Sequence, residues 1–345
     1  MITNRQKNFF IIFCSKALFL GIGYALLFGF SKNDTWISFI LGSLLGIIFC
    51  YFLKTIMNKK EHKSLSDILK IMGPLGFIIR LLLIIYSIAV INEILFIIQI
   101  FAKSFFLINS NTLLIILPLV ILIGVVAFKG YKILAYVVEC LFPISLFFTI
   151  FGMLVLFFNG DYTNLKPFFS NSTFDILKSS LYYFALSATP LLFLLDLQLE
   201  DNNFYNAYIT ISIALTVLCV ILIGVLGPYL IYIYRFPEYM VLKDIQVFGF
   251  IEKVENILSI SWILDNFVLL CLASCFLKRL LPQKYNNYYF IGILITIFLI
   301  ACFVFGDNYI NDLIISLYFP HYLFLLSIPA VITIFIYYKT KRKQN

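Results

Sequence analysis

Phe9-Phe-Ile-Ile-Phe-Cys-Ser-Lys-Ala-Leu-Phe-Leu-Gly-Ile-Gly-Tyr-Ala-Leu-Leu-Phe-Gly-Phe30 is the stretch that decides the fold of this chain. A helix crosses a bilayer with about 20 mainly apolar residues, and this run is long enough to do so. It is too long for the apolar core of a signal peptide and a second such run follows almost at once, so it is expected to be retained as a span. Within it stand one cation, Lys16, and a pair of glycines, Gly21 and Gly23, flanking Ile22.

Further along the chain the same pattern repeats. Apolar runs predict helices near 9–30, 34–57, 77–103, 112–128, 133–158, 179–199, 206–234, 255–277, 288–306 and 314–338. The very short link Phe128-Lys-Gly-Tyr131 leaves nine or eleven spans as alternatives to ten. The whole chain of 345 residues is 62% hydrophobic and only 12% charged, with a mean hydropathy of +1.02. A soluble domain is near half apolar and a quarter charged, so a lipid bilayer, not water, is the expected solvent. Residues 1–345 therefore form one transmembrane domain. No nucleotide loop, phosphate cradle or catalytic triad occurs in the short connections, and an enzyme active site of soluble type is not expected.

Seven cysteines lie in or beside apolar runs and read as small hydrophobes. Cys271 and Cys275 have a metal-compatible spacing, but the two histidines, His62 and His321, are remote, so neither a metal nor a cofactor is expected. The net charge of +8 follows topology and lipid headgroups, and no nucleic acid partner is implied. With the N-terminus inside, seventeen lysines and arginines fall on the inner side, from Arg5 and Lys7 to Arg342 and Lys343, against seven on the outer side. By the positive-inside rule both termini are cytoplasmic.

Ten spans divide into two sets of five, about 9–158 and 179–338, and transporters built from inverted repeats interrupt corresponding helices in each half. The first span carries Leu20-Gly-Ile-Gly23; the sixth carries Ser187-Ala-Thr-Pro190. Such residues free backbone groups inside the membrane, where half-helix N-termini receive a carboxylate and bare carbonyls receive an ammonium. A small zwitterion such as an amino acid fits both, and Gly21, Ile22, Gly23, Ser187, Thr189, Pro190 and Asp265 form the candidate ligand site. The plainer alternative is that the glycines allow close helix packing and the proline only kinks.

Intramembrane charges are costly and mark function or pairing. Lys16, Glu93 and Asp265 are the candidates for ion or proton coupling; Glu139 sits near the inner edge and is expected to be solvated. Lys16 either snorkels to headgroups, takes the place of a bound cation, or pairs with a buried carboxylate. Asp265, too short to snorkel, carries a proton or ligand, or partners Lys16 or Asn266.

Several segments resemble the B-subunit membrane protein of spore germinant receptors, the GerAB-type family. They are Leu20-Gly-Ile-Gly-Tyr-Ala-Leu-Leu27, Asn33-Asp-Thr-Trp-Ile-Ser38, Ser64-Leu-Ser-Asp-Ile-Leu69 with Gly73-Pro-Leu-Gly76, Gly130 to Glu139, Asn164-Leu-Lys-Pro167, and Phe236-Pro-Glu through Glu255 to Trp262. Their order holds along nearly the whole chain. The resemblance implies the amino acid–polyamine–organocation superfamily and its leucine-transporter-like 5+5 inverted repeat. It also implies an amino-acid-like germinant bound by Gly21, Gly23, the sixth-span break and span eight, with A- and C-type receptor subunits as partners in a spore inner membrane. Two positions depart from the family's usual pattern. Phe28-Gly29 stands where a proline is usual, and Thr189 with Leu195-Asp196 where a glutamate and a Pro-Glu are. A free-standing, proton-coupled amino-acid permease of the cytoplasmic membrane is the rival expectation.

Overall fold

A computed structural model describes residues 2–19, 22–59, 64–107, 110–244, 255–304 and 309–341. Gly21 lies outside the described residues, as do Lys60, Lys63, Lys253, Arg342, Lys343 and positions 250–254 of the family-like segment. The α-helices are α1 Asn4–Ala17, α2 Ile22–Ser31, α3 Thr35–Lys59, α4 Leu65–Ile71, α5 Gly73–Phe105, α6 Thr112–Lys129 and α7 Tyr131–Phe158. Then come α8 Thr173–Ala188, α9 Tyr205–Ile233, α10 Pro237–Asp244, α11 Glu255–Leu280, α12 Asn286–Leu299 and α13 Tyr309–Lys341. α8 passes directly into a 3₁₀ segment, Thr189–Asp196.

Among the described residues eight stretches are long and apolar enough to cross a membrane. They match the predicted spans two to five and seven to ten, the first of them taking in α2 together with α3. The predicted first span holds α1 and α2, of 14 and 10 residues; the sixth holds α8 and its 3₁₀ segment, of 16 and 8. None of these pieces crosses a bilayer alone as a helix of the required length.

Local chemistry sets the ends. Thr3 and Gln6 form a capping box, each side chain accepting from the other's backbone N–H, so α1 starts at Asn4. Gly73 at φ 64° closes α4, and Pro74 opens α5, which therefore starts four residues before the predicted 77. α4 is the amphipathic linker: Leu65, Ile68 and Leu69 are buried while Asp67 faces out. Ser64 caps it, and the Ser64 hydroxyl on the Asp67 carboxylate holds that acid below the usual range.

The short link 128–131 is a one-residue turn between two helices. Gly130 takes φ 84° and ψ −180°, a region almost closed to residues with a Cβ, and a Cβ added there would meet nothing within 4 Å. Alanine and valine at this position are therefore expected to cost the same backbone strain, about 1–3 kcal/mol. A fall in apparent melting temperature that is similar for both variants checks this; a fall only for valine would mean crowding instead.

The loop between α7 and α8 is tied down by freed backbone groups. Pro228 in α9 has no N–H to give to Gly224 O, and Asp161 N and Asn164 Nδ2 supply it instead at 2.8 and 3.0 Å. The Asp34 carboxylate, fully buried, accepts from Phe169 N, Asn171 N and Asn171 Nδ2 at 2.7, 3.0 and 2.9 Å. Asn33 Nδ2 donates to Asn164 O and Lys166 O. Two family-like motifs, around Asn33 and Asn164, thus meet in one cap at this end of the bundle.

α3 is held against α8 and α9 by Gly42 and Gly46, one turn apart on the same face. A Cβ at Gly42 would stand 2.5 Å from Ser180 O, and one at Gly46 would run into the Tyr208 hydroxyl. This is the small-residue contact by which membrane helices approach closely.

Candidate functional site

Two helices present polar pairs at i, i+4 spacing, which places each pair on one face. α7 offers Ser145 and Thr149; α11 offers Ser261 and Asp265. Lys16, in the last turn of α1, reaches between them. Its Nζ stands 2.8 Å from Asp265 Oδ2 and donates to Thr149 Oγ1 at 2.8 Å, Ser145 Oγ at 3.0 Å and Ser261 Oγ at 3.4 Å. Ser145 Oγ donates in turn to Asp265 Oδ1 at 2.7 Å. Lys16 is 5% exposed and Asp265 0%. Lys16 therefore does not snorkel: its ammonium is enclosed by a carboxylate and three hydroxyls. A small cavity of about 20 Å³ touches Lys16 and Thr149 and is otherwise lined by apolar residues such as Met153 and Leu215.

A desolvated ion pair needs further polar partners to be tolerable, and here Ser145 serves Asp265 Oδ1 while three hydroxyls accept from the Lys16 ammonium. Asp265 takes Lys16 as partner, while Asn266 donates instead to its own helix, to Trp262 O at 3.0 Å. Glu139, expected to be solvated, is half-buried at the rim, accepting from Gln6 Nε2 at 3.1 Å with Arg5 Nε 3.8 Å away.

The remaining candidates gather where α1 meets α2 and α8 meets its 3₁₀ segment. Tyr24 N donates to Phe19 O at 3.2 Å across the interval between α1 and α2. A Cβ at Gly23 would lie 2.5 Å from Leu18 O, so only a glycine lets the chain pass this close to the end of α1, while Leu186 Cδ1 of α8 lies at ordinary contact distance, 3.5 Å. Ile22 begins α2. On the other side Pro190 has no N–H for Leu186 O. Ser187 Oγ and the Tyr208 hydroxyl are 2.8 Å apart, Thr189 Oγ1 donates to Ala185 O at 2.6 Å, and the Tyr86 hydroxyl donates to Thr189 Oγ1 at 3.1 Å. Phe19, Tyr24, Phe39 and Tyr183 pack ring on ring around this junction, with centroids 4.4 to 6.0 Å apart.

Glu93 stands apart. It is buried on α5 and makes no ion pair with Lys16, which Asp265 already holds. Tyr86, Ser145, Thr149 and Ser261 were missed from sequence; the signal for the last three was polar residues at i, i+4 in otherwise apolar spans, Ser145 with Thr149 and Ser261 with Asp265. A further buried acid, Asp196, ends the 3₁₀ segment, where it accepts from Leu65 N at 3.3 Å and lies 3.6 Å from Arg279 Nε. Two cavities, of about 400 and 440 Å³, lie on either side of Tyr131 and Arg279.

Apolar helices around a sealed polar cluster define an integral, multi-pass membrane protein. The chain belongs to the spore germination protein family, whose family model matches residues 4–310. It is 28% identical over 273 residues to the putative spore germination protein YfkT of Bacillus subtilis (strain 168), covering 72% of this chain and 73% of that protein. It is also 26% identical over 302 residues to spore germination protein XB of Bacillus anthracis, covering 80% of each. The resemblance read from the motifs is thus met at the level of the family.

Proposed function

We propose that the chain is the membrane subunit of a spore germinant receptor, binding a small amino-acid-like molecule at mid-membrane. In this reading α1 with α2, and α8 with its 3₁₀ segment, are the interrupted first and sixth helices of a 5+5 repeat spanning about 9–158 and 179–338. Both termini are cytoplasmic, the membrane is the spore inner membrane, and A- and C-type subunits complete the receptor. The observation that supports the proposal is that α1 packs against α8 and against the 3₁₀ segment. In this reading half-helix ends meet at this junction, an arrangement that suits a zwitterion.

A second reading, a proton-coupled amino-acid permease, is favoured by the Lys16–Asp265 pair, which joins α1, α7 and α11. One experiment separates the two. Purified chain in proteoliposomes is given labelled amino acids with and without a pH gradient, while spores lacking the gene are tested for amino-acid-triggered germination. The receptor reading expects a germination defect and no gradient-driven uptake. Uptake that follows the gradient, with normal germination of the deleted strain, would overturn it in favour of the permease.

A further inference from the structure

We infer that the cavity of about 400 Å³ beside Tyr131 and Arg279 holds the phosphate of an anionic phospholipid. None of its lining residues belongs to the candidate ligand site, so the inference stands apart from the function proposed above. Four pieces of chain form its wall: the start of α4, the α6–α7 turn, the end of α11 and the turn into α12. Lys278, Arg279, Ser64 and Ser66 line it, and among the described residues no carboxylate does. The cations here outnumber their partners. Arg279 Nε lies 3.6 Å from Asp196, but Lys278 and Arg80 have no ion pair among the described residues. The Lys278 ammonium stands 4.0 Å from the centre of the Phe128 ring and 5.9 Å from that of Phe290. Arg80 Nη2 donates to Ser66 Oγ at 2.8 Å, and Arg80 Nε is buried with no acceptor. A guanidinium cannot shed its charge, and Ser66, which accepts from it, keeps its own proton to donate. A phosphate supplies what this wall lacks, negative charge and several strong acceptors at once.

The surroundings favour a lipid over a free phosphate. The cavity lies where α6 ends and α12 begins, two spans that bury only 28 and 22% of their most apolar stretches and so turn much of their surface to lipid. Phe128, which lines the cavity, is exposed, and Val125 and Ile121 continue from it at helical spacing as an exposed apolar stripe. An acyl chain lying along that stripe leaves its headgroup beside Lys278. Asn286, which also lines the cavity, opens α12, and around it Tyr285, Tyr288 and Tyr289 are all exposed. Tyrosines so placed mark the headgroup level of a bilayer. Basic pockets between membrane helices at that level are where anionic headgroups bind, and 400 Å³ accommodates a glycerophosphate. A headgroup seated there ties α4 to the α11–α12 turn.

The test uses the purified full chain in detergent micelles, with phosphatidylglycerol or phosphatidylcholine added. Native mass spectrometry reads the lipid retained, and thermal unfolding reads the stabilisation. The wild type is expected to retain phosphatidylglycerol over phosphatidylcholine and to melt higher with it. Lys278→Gln is expected to weaken that retention roughly five- to tenfold, and Lys278→Gln/Arg80→Gln further. Lys129→Gln, the same charge loss on an exposed residue outside the cavity, is expected to leave it unchanged. Equal retention of the two lipids would overturn the inference. So would equal losses in Lys129→Gln and Lys278→Gln, which would mean diffuse surface charge and no built site. Inorganic phosphate that stabilises the wild type as well as phosphatidylglycerol does would overturn the lipid and assign the cavity to a free anion. If Lys278→Gln does not fold, the lipid comparison on the wild type still decides, together with Lys278→Arg, which is expected to keep the preference.

Discussion

Lys16→Met is expected to destabilise the folded chain by about 3–5 kcal/mol, because it leaves the Asp265 carboxylate sealed in the bundle without its cation. Asp265→Asn should cost a similar amount by stranding the ammonium among three hydroxyls. The double variant Lys16→Met/Asp265→Asn removes both charges, so its loss should be well below the sum of the two. A double-mutant cycle on the unfolding of the detergent-solubilised protein measures this coupling. Additive losses would show that the two side chains act independently and that the 2.8 Å approach carries no energy. The cycle also bears on function. α1, α7 and α11 have few other polar ties at this depth, so a folded double variant that still responds to its ligand would mark the pair as a strut rather than a coupling element.

The sequence brings out these two residues and not the rest of their shell, for a physical reason. A charge inside an apolar run is conspicuous because its cost demands an explanation. A serine or threonine there costs little, since its hydroxyl can bond a carbonyl one turn back in its own helix. Thr149 does this, donating to Ser145 O at 2.8 Å while also accepting from Lys16. Such residues read as neutral until a partner on another helix is known. Asp34 was hidden in the opposite way. An acid between two spans reads as solvated loop, yet here it organises the 168–171 backbone.

For the fold, periodicity is of little use in a bundle whose helices are apolar nearly all round; length and interruption carry the information. The eight membrane-length stretches follow from run length alone. The two predicted spans that hold shorter elements are those where Gly21, Gly23 and Pro190 fall, residues that weaken or end a helix. What run length cannot give is which helices touch. Gly42 and Gly46 lie within a continuous helix, so as breakers they are silent; their meaning appears only when Ser180 and Tyr208 are seen opposite them.

That contact yields the second large expected effect. Gly46→Leu should abolish recovery of monodisperse protein, because the new side chain must occupy the volume of the Tyr208 hydroxyl, which is fully buried and bonded to Ser187 at 2.8 Å. α3 cannot retreat without opening its contact with α8 at Gly42, where the obstacle is backbone, Ser180 O. Overpacking a core of this density typically costs about 1–3 kcal/mol and occasionally more, and here both helix contacts are lost together. Gly46→Ala is the milder case, and Tyr208→Leu gives its control by shortening the side chain in the way. The pair Gly46→Ala/Tyr208→Leu should be recovered better, by fluorescence-detected size exclusion, than Gly46→Ala alone. Equal recovery of Gly46→Ala and wild type would mean that α3 shifts freely against its neighbours. Gly46 would then serve no packing role, and its approach to Tyr208 could not be what sets the distance between α3 and α9.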